Sequence, residues 1–255
     1  MQTGDNVGVG GFIISGTTPK RVLIRGIGPS LIGFGVANAR ADPVIELHGP
    51  GAFATIINNN WRDSQEDEIQ ATGIPPASDL ESAIVVTLSP AAYTAIVRGN
   101  GSTSGVALVE IYDLNQGVAS KLANLSTRAF VSTGEDIIIA GFLLSDDSTS
   151  NRVIVRGIGP SLAPGSFPAS GVLADPILEL RDSNGVLLIA NNDWRDDQAQ
   201  AVEITLAGLA PANNLEAAIS AILPPGLYTA LLAGANNGTG IGVVEVYDRV
   251  GTPSP

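Results

Sequence analysis

The chain of 255 residues has no cysteine and a single histidine, His48. Without cysteine there are no disulfide staples, thiolate zinc sites or cysteine nucleophiles. One histidine excludes His-based metal clusters. A Ser–His–Asp triad would have to exist in one half of the chain only, because the repeat described below places Arg181 where the first half has His48. Positive charge is scarce too: 13 Lys and Arg stand against 25 Asp and Glu, a net charge of −12. Such a surface repels nucleic acid and anionic membranes, and no Lys/Arg cluster reverses the repulsion locally. No apolar run approaches the length of a membrane span. Met1 is followed by the polar run QTGDN, so no signal peptide is visible.

Hydrophobic residues make up 44% of the chain and charged residues 15%, with 30 Gly and 16 Pro. That composition supports a buried core and favours strands and turns over helices. The chain also repeats itself. TGDNVGVGGFIISG at Thr3 matches TGEDIIIAGFLLSD at Thr133, and RGIGPSL follows in both (Arg25 to Leu31, Arg156 to Leu162). ADPVIELHGPG matches ADPILELRDSNG, NNWRD matches NDWRD, LESAI matches LEAAI, AYTAIVRG matches LYTALLAG, and VALVEIYD matches IGVVEVYD. Each unit is roughly 120 to 130 residues, an ordinary domain size and too long for a solenoid turn.

RVLIRG, PVIELHG, SAIVVTL, YTAIVRG and VALVEIYD are short runs rich in β-branched residues and bounded by Gly, Pro, Asn or Ser. Short connections between them favour antiparallel pairing over βαβ units. DSNG (Asp182 to Gly185) reads as a hairpin turn. Asp63 with Glu66 resembles a capping box ahead of EDEIQAT, and DDQAQAVEITLAGL fills the same place in the second copy. The expected fold is all-β: two tandem antiparallel β-sandwich modules, jelly-roll-like, each with one short helix. The expected boundaries are 1–118 and 119–255. KLANLSTRAFVS (Lys121 to Ser132) precedes the second copy as a strand; the first copy opens at TGDN, so it is expected to lack its first strand.

A hydrophobic strand running into Gly-x-Gly is also how a phosphate loop begins. Here the third glycine of a dinucleotide fingerprint is missing, Pro29 follows Gly28 directly, and the lysine of a Walker loop is absent. The reading is a strand that ends in a tight turn, with glycines supplying positive φ and proline stopping the ladder. Arg25 and Arg156, kept in both copies, are expected to form internal ion pairs with carboxylates that also recur: Glu46 and Glu179, Glu110 and Glu245, Asp113 and Asp248. Binding of an acidic ligand by Arg25 is the competing reading.

The most distinctive polar segment is NxWRD. It groups Asn59, Asn60, Trp61, Arg62 and Asp63, and again Asn192, Asp193, Trp194, Arg195 and Asp196; the two tryptophans are the only ones in the chain. Trp there either stacks on a sugar while its polar neighbours bind hydroxyls, or plugs the end of the sandwich while Asn and Asp form turns and caps. Asp193, Asp196 and Asp197 are candidate calcium ligands, without EF-hand spacing; the acidic run SDDSTSN from Ser145 has no acidic counterpart in the first copy. No other cofactor is implied.

The strings LANLSTRAFVSTGEDIIIAGFLL, RVIVRGIGPSL, ADPILEL, NNDWRD, LEAAI, YTALLAG and VVEVYD resemble a repeat module of large extracellular proteins of Verrucomicrobia and related soil and aquatic bacteria. The resemblance spans nearly all of both copies. The half from ADPILEL onward also resembles bacterial pre-peptidase C-terminal domains, which are β-sandwiches. The resemblance implies a secreted or cell-surface, non-catalytic module with a structural or adhesive role: spacing, display or attachment to a surface glycan or protein. Two alternatives stand beside it: a carbohydrate-binding module using the Trp loops, and self-association into a filament by strand exchange.

Overall fold

The computed structural model describes residues 7–134, 136–144, 151–163 and 167–249. The chain divides into two compact units, Met1–Leu125 and Ser126–Pro255. The division falls inside strand β8 (Ser120–Val131) rather than at 118/119. The cause is packing: Leu122 and Leu125 sit against the core of the first unit, whereas Val131 is buried within the second. The acidic run 145–150 and the opening of the first copy at 1–6 lie outside the described residues.

The first unit contains β1 (Gly8–Gly16), β2 (Lys20–Ile27), β3 (Pro43–His48), β4 (Ile56–Asn58), helix α1 (Glu66–Gln70), β5 (Ser82–Leu88), β6 (Ala91–Gly99) and β7 (Leu108–Asp113). One sheet has the order β1-β6-β3-β4 and the other β5-β2-β7. The pairings within both are antiparallel. Phe12, Ile14, Ile45, Leu47, Tyr93, Ala95 and Val97 from the first sheet share one core with Val22, Ile24, Ile84 and Leu88 from the second. This is a β-sandwich closed by alternating inward side chains.

β2 does not alternate, because both its faces are covered. Val22 and Ile24 enter the inter-sheet core, while Leu23 points the other way and meets Trp61, Ile69, Ala83 and Val85. Ile69 belongs to α1, so the helix and the tryptophan form a lid on the outer face of the three-stranded sheet. A strand covered twice reads as a continuous apolar run, which is what RVLI is.

The second unit repeats the plan with β9 (Ile138–Leu144), β10 (Asn151–Ile158), β11 (Pro176–Asp182), β12 (Leu187–Asn191), α2 (Gln198–Leu206), β13 (Ala217–Leu223), β14 (Gly226–Gly234) and β15 (Gly240–Asp248). Its sheets run β12-β11-β14-β9 and β13-β10-β15, with β8 beside β15. The chain is thus an all-β protein built of two antiparallel sandwiches, each with one short helix. The register is the same in both copies: Arg25 stands opposite Glu110, and Arg156 opposite Glu245. DSNG forms the β11–β12 turn, with Gly185 at φ 77° and the Asp182 carboxylate accepting from the Asn184 and Val186 amides.

Two local expectations fail. The Asp63–Glu66 capping box does not form. The residue before α1 is Gln65, in the left-handed region, and its side chain turns inward to β5; Asp63 accepts from the Asn60 amide instead. The cap appears only in the second copy, where Asp197 accepts from the Ala199 and Gln200 amides at 2.9 and 3.1 Å. The glycines of RGIGPSL also work differently from expectation. Gly28 and Gly159 both have φ −143°, so positive φ is not their role. Each lies against passing backbone: a Cβ at Gly28 would sit 2.1 Å from the Arg40 carbonyl oxygen, and one at Gly159 2.0 Å from that of Leu173. Pro29 and Pro160 then open a 3-10 turn at its first position, where proline loses no hydrogen bond.

Gly28→Ala and Gly159→Ala should each destabilise by about 3 kcal/mol or more, because backbone must move to admit the methyl group. Gly33→Ala, with nothing within 4 Å of its Cβ, should stay within about 0.5 kcal/mol of the parent. Urea midpoints decide it; a neutral Gly28→Ala would refute the close-approach account.

Candidate functional site

The turn after β2 does present backbone N–H groups to an anion, and the anion is the protein's own. Glu81, fully buried, lies just before β5. Its Oε1 accepts from the Gly28 amide at 3.0 Å and the Ser30 amide at 2.9 Å. Its Oε2 accepts from the Ser30 hydroxyl at 2.8 Å and the Ser78 amide at 3.2 Å. Glu216, also fully buried, repeats the arrangement with Gly159 (3.1 Å), Ser161 (amide 2.8 Å, hydroxyl 2.7 Å) and Asn213 (3.2 Å). The sequence reading missed these two glutamates. Their only signal was the duplication LESAI/LEAAI, which gives no hint that the acid points inward.

Arg25 and Arg156 make the second internal constellation. Arg25 Nη2 lies 2.5 Å from Glu110 Oε2, Nε donates to the same oxygen at 2.8 Å, and Nη1 donates to the Ile74 carbonyl at 2.7 Å. Nη2 also donates to the Tyr112 hydroxyl at 3.0 Å, and that hydroxyl donates to Glu110 Oε1 at 2.9 Å. Arg156 repeats this with Glu245 (2.5 Å), the Leu209 carbonyl (3.0 Å) and the Tyr247 hydroxyl (3.1 Å). Burial, and then the adjacent glutamate, push both tyrosine hydroxyls above their ordinary pKa. The carbonyls of Ile74 and Leu209 follow the helices, so the arginines tie the lid to the sheet. An arginine saturated in this way has no donor pair left for an acidic ligand.

Glu46 and Glu179 lie on the other sheet and do not meet Arg25 or Arg156. Glu46 pairs with Arg98 across β3–β6 and lies 3.5 Å from His48; the Arg98 hydrogen bond, against the opposing effect of burial, lowers its pKa. Glu179 pairs with Arg181 at 2.6 Å. The cation has moved between copies: where the first has His48 and Arg98, the second has Arg181 and Ala233. Asp113 holds the buried Lys20 ammonium at 2.6 Å. His48 Nδ1 lies 3.3 Å from the Thr55 hydroxyl, at the end of β3.

Trp61 and Trp194 are 2% and 4% exposed. Trp61 donates to the Ser78 carbonyl at 3.1 Å, and the Arg62 guanidinium lies 4.0 Å from its ring centre; Arg195 lies 4.5 Å from that of Trp194. Trp194 packs with Ile154, Ile204 and Ala218 under α2. Neither ring offers an open face for a sugar, and neither plugs a sandwich end: both cover the outer sheet face. Arg62 is held by Glu66 and by Asp79, the latter at 2.6 Å.

The acids of the segment sit in different surroundings. Asp197 is the α2 cap, and hydrogen bonds from Gln200 hold its carboxyl below the ordinary value. Among the described residues no three His, Cys, Asp or Glu side chains group as a metal ion requires, so Asp193, Asp196 and Asp197 do not form one cage. Asp193 is instead penalised. Burial first, then Asp196 and Asp175, raise its pKa, and its Oδ1 is buried without a partner. The first copy has the neutral Asn60 there.

A raised carboxylate pKa costs stability when the group is ionised. The cost is fully present above the raised folded-state pKa, fades as pH falls from there, and is gone below the ordinary carboxylate value. Asp193→Asn should therefore raise the melting temperature at pH 7, by roughly 1–4 °C, with the gain shrinking toward about pH 3. Scanning calorimetry at both pH values checks it, and an unchanged or lowered value at pH 7 would contradict the assignment.

No family model matches the chain, and no curated protein matches it. Among solved structures it superposes on the crystal structure of the STIV MCP with TM-score 0.26 and 13% identity, covering 95% of this chain and 91% of that one. The atomic structure of Sulfolobus Turreted Icosahedral Virus also gives TM-score 0.26 and 13% identity, covering 95% and 86%. Superpositions this loose carry no argument about function. Among the described residues no helix is long and apolar enough to cross a membrane.

Proposed function

We propose that this chain is a non-catalytic structural or adhesive repeat module of a secreted or cell-surface protein, serving spacing, display or attachment. One observation carries the reading. The motifs that both copies keep are consumed by holding each copy together. RGIGPSL wraps Glu81 and Glu216, the two tryptophans cover a sheet face, and the VEVYD-type ending supplies the partners of Arg25 and Arg156. A sequence that repeats its scaffold residues and varies its surface ones is suited to bearing load or presenting other parts of a protein. The resemblance to extracellular bacterial repeat modules supports the location.

Carbohydrate binding keeps one observation in its favour. A shallow groove beside α2 is lined by Trp194, Arg195, Asp196, Gln198, Val202 and Leu206, and Val202 and Leu206 are exposed.

Glycan arrays and pull-downs on insoluble polysaccharides separate the two readings. The structural reading expects no glycan to retain the chain. It also expects Trp61→Ala and Trp194→Ala to cost about 3–5 kcal/mol of stability, as large core truncations do. Specific retention that Leu206→Asp abolishes at unchanged melting temperature would replace it with the carbohydrate-binding one.

A further inference from the structure

We infer that the outer edge of β7 is an acceptor for a β8-type connecting strand supplied by another copy of the repeat. The inference rests on the repeat-module reading and adds to it a defined docking edge and its occupant.

The sheet built on β2 in the first unit, and on β10 in the second, has two sides, and the chain treats them differently. The β5 edge is closed by side chains. Asn58 Oδ1 accepts from the Ala83 amide at 2.9 Å, and the Gln65 amide donates to the Val85 carbonyl at 2.8 Å and accepts from the Val85 amide at 3.3 Å. The matching β13 edge is closed by Asn191, which accepts from the Ala218 amide at 2.8 Å, and by Gln200, which accepts from the Ser220 amide at 2.9 Å. Side-chain amides that copy a neighbouring strand's hydrogen bonds keep an edge from pairing.

The opposite edge is treated differently. In the second unit β15 is covered by β8. Among the described residues of the first unit, β7, which pairs with β2 in the register that β15 makes with β10, ends its sheet. Among the described residues no side chain hydrogen-bonds the β7 backbone. The apolar side chains record the difference. Val106 is 40% exposed where Ile241 is 7% exposed, and Leu108 is exposed where Val243 is half-buried. Val109 and Ile111 are half-buried where Val244 and Val246 are buried. These residues keep the chemistry of a covered edge.

The second unit shows what covers it: an extended, proline-free segment, SKLANLSTRAFV, at Ser120–Val131. Its second half, from Ser126, belongs to that unit. Strand addition draws affinity from main-chain hydrogen bonds and specificity from alternate side-chain positions. A further repeat presenting the same segment would complete the first unit's sheet as β8 completes the second's.

The test uses the full chain and a fluorescent synthetic peptide with the sequence of Ser120–Val131. Anisotropy should show saturable binding, and saturating peptide should raise the melting temperature by about 2–5 °C. Amide exchange in β7 should slow about tenfold or more on binding. A scrambled peptide should not bind. The double variant Val106→Lys/Leu108→Lys changes two exposed side chains, and it should lose binding while keeping its circular dichroism and melting temperature. No binding by the parent overturns the inference. So does binding that survives the double variant, because it would place the peptide on another edge, such as that of β9. Neither outcome touches the structural reading itself, which falls only if the chain proves to be a glycan binder.

Discussion

A single buried carboxylate in each repeat, Glu81 in the first and Glu216 in the second, fixes the turn around which the sandwich is built. A carboxylate removed from water is costly unless its oxygens are hydrogen-bonded, and here three backbone amides and a serine hydroxyl supply that compensation. The donors would themselves be orphaned at the end of a strand and the start of a 3-10 turn. Acid and turn therefore satisfy each other, and neither is stable in place alone. The consequence is geometric. β2 stops at Ile27, Gly28 is pressed against the Arg40 carbonyl, and Pro43 can begin β3 across the sandwich.

The remaining conserved-in-both-copies residues extend that arrangement outward in layers. The inter-sheet core is the first layer. The tryptophan and helix form a second on the outer face of β2 and β5, and of β10 and β13. Arg25 and Arg156 bind that lid to β7 and β15 through Glu110, Tyr112 and their counterparts. Partly buried arginine networks of this kind specify an arrangement more than they stabilise it. Where the copies differ, the differences compensate locally. Arg40 is buried where Leu173 is buried, and the cation beside Glu46 or Glu179 changes strand.

The repeat, the strand content and the antiparallel plan were legible because alternation and turn residues act locally. The pairing of Arg25 with Glu110 needed register, which the sequence does not state; Glu46 looked equally eligible and lies on the opposite sheet. The capping box at Asp63 failed because the Gln65 side chain is drawn to the β5 edge, a long-range demand that overrides local propensity. Glu81 was hidden by its type: a glutamate beside Ser82 reads as solvent-exposed, and only the three-dimensional convergence of Gly28, Ser30 and Ser78 reveals why it is inside. The tryptophans were visible as special, but a stacking platform and a sheet lid use the same residue, and burial alone separates them.

Hydrogen exchange at the Gly28, Ser30, Gly159 and Ser161 amides tests the central claim most directly. If the buried glutamates fill these turns, the four amides open only with the fold and exchange as slowly as the core amides of β2 and β10. Exchange at loop rates, with the core still protected, would show that the turns are open sites and that the internal carboxylate does not hold them.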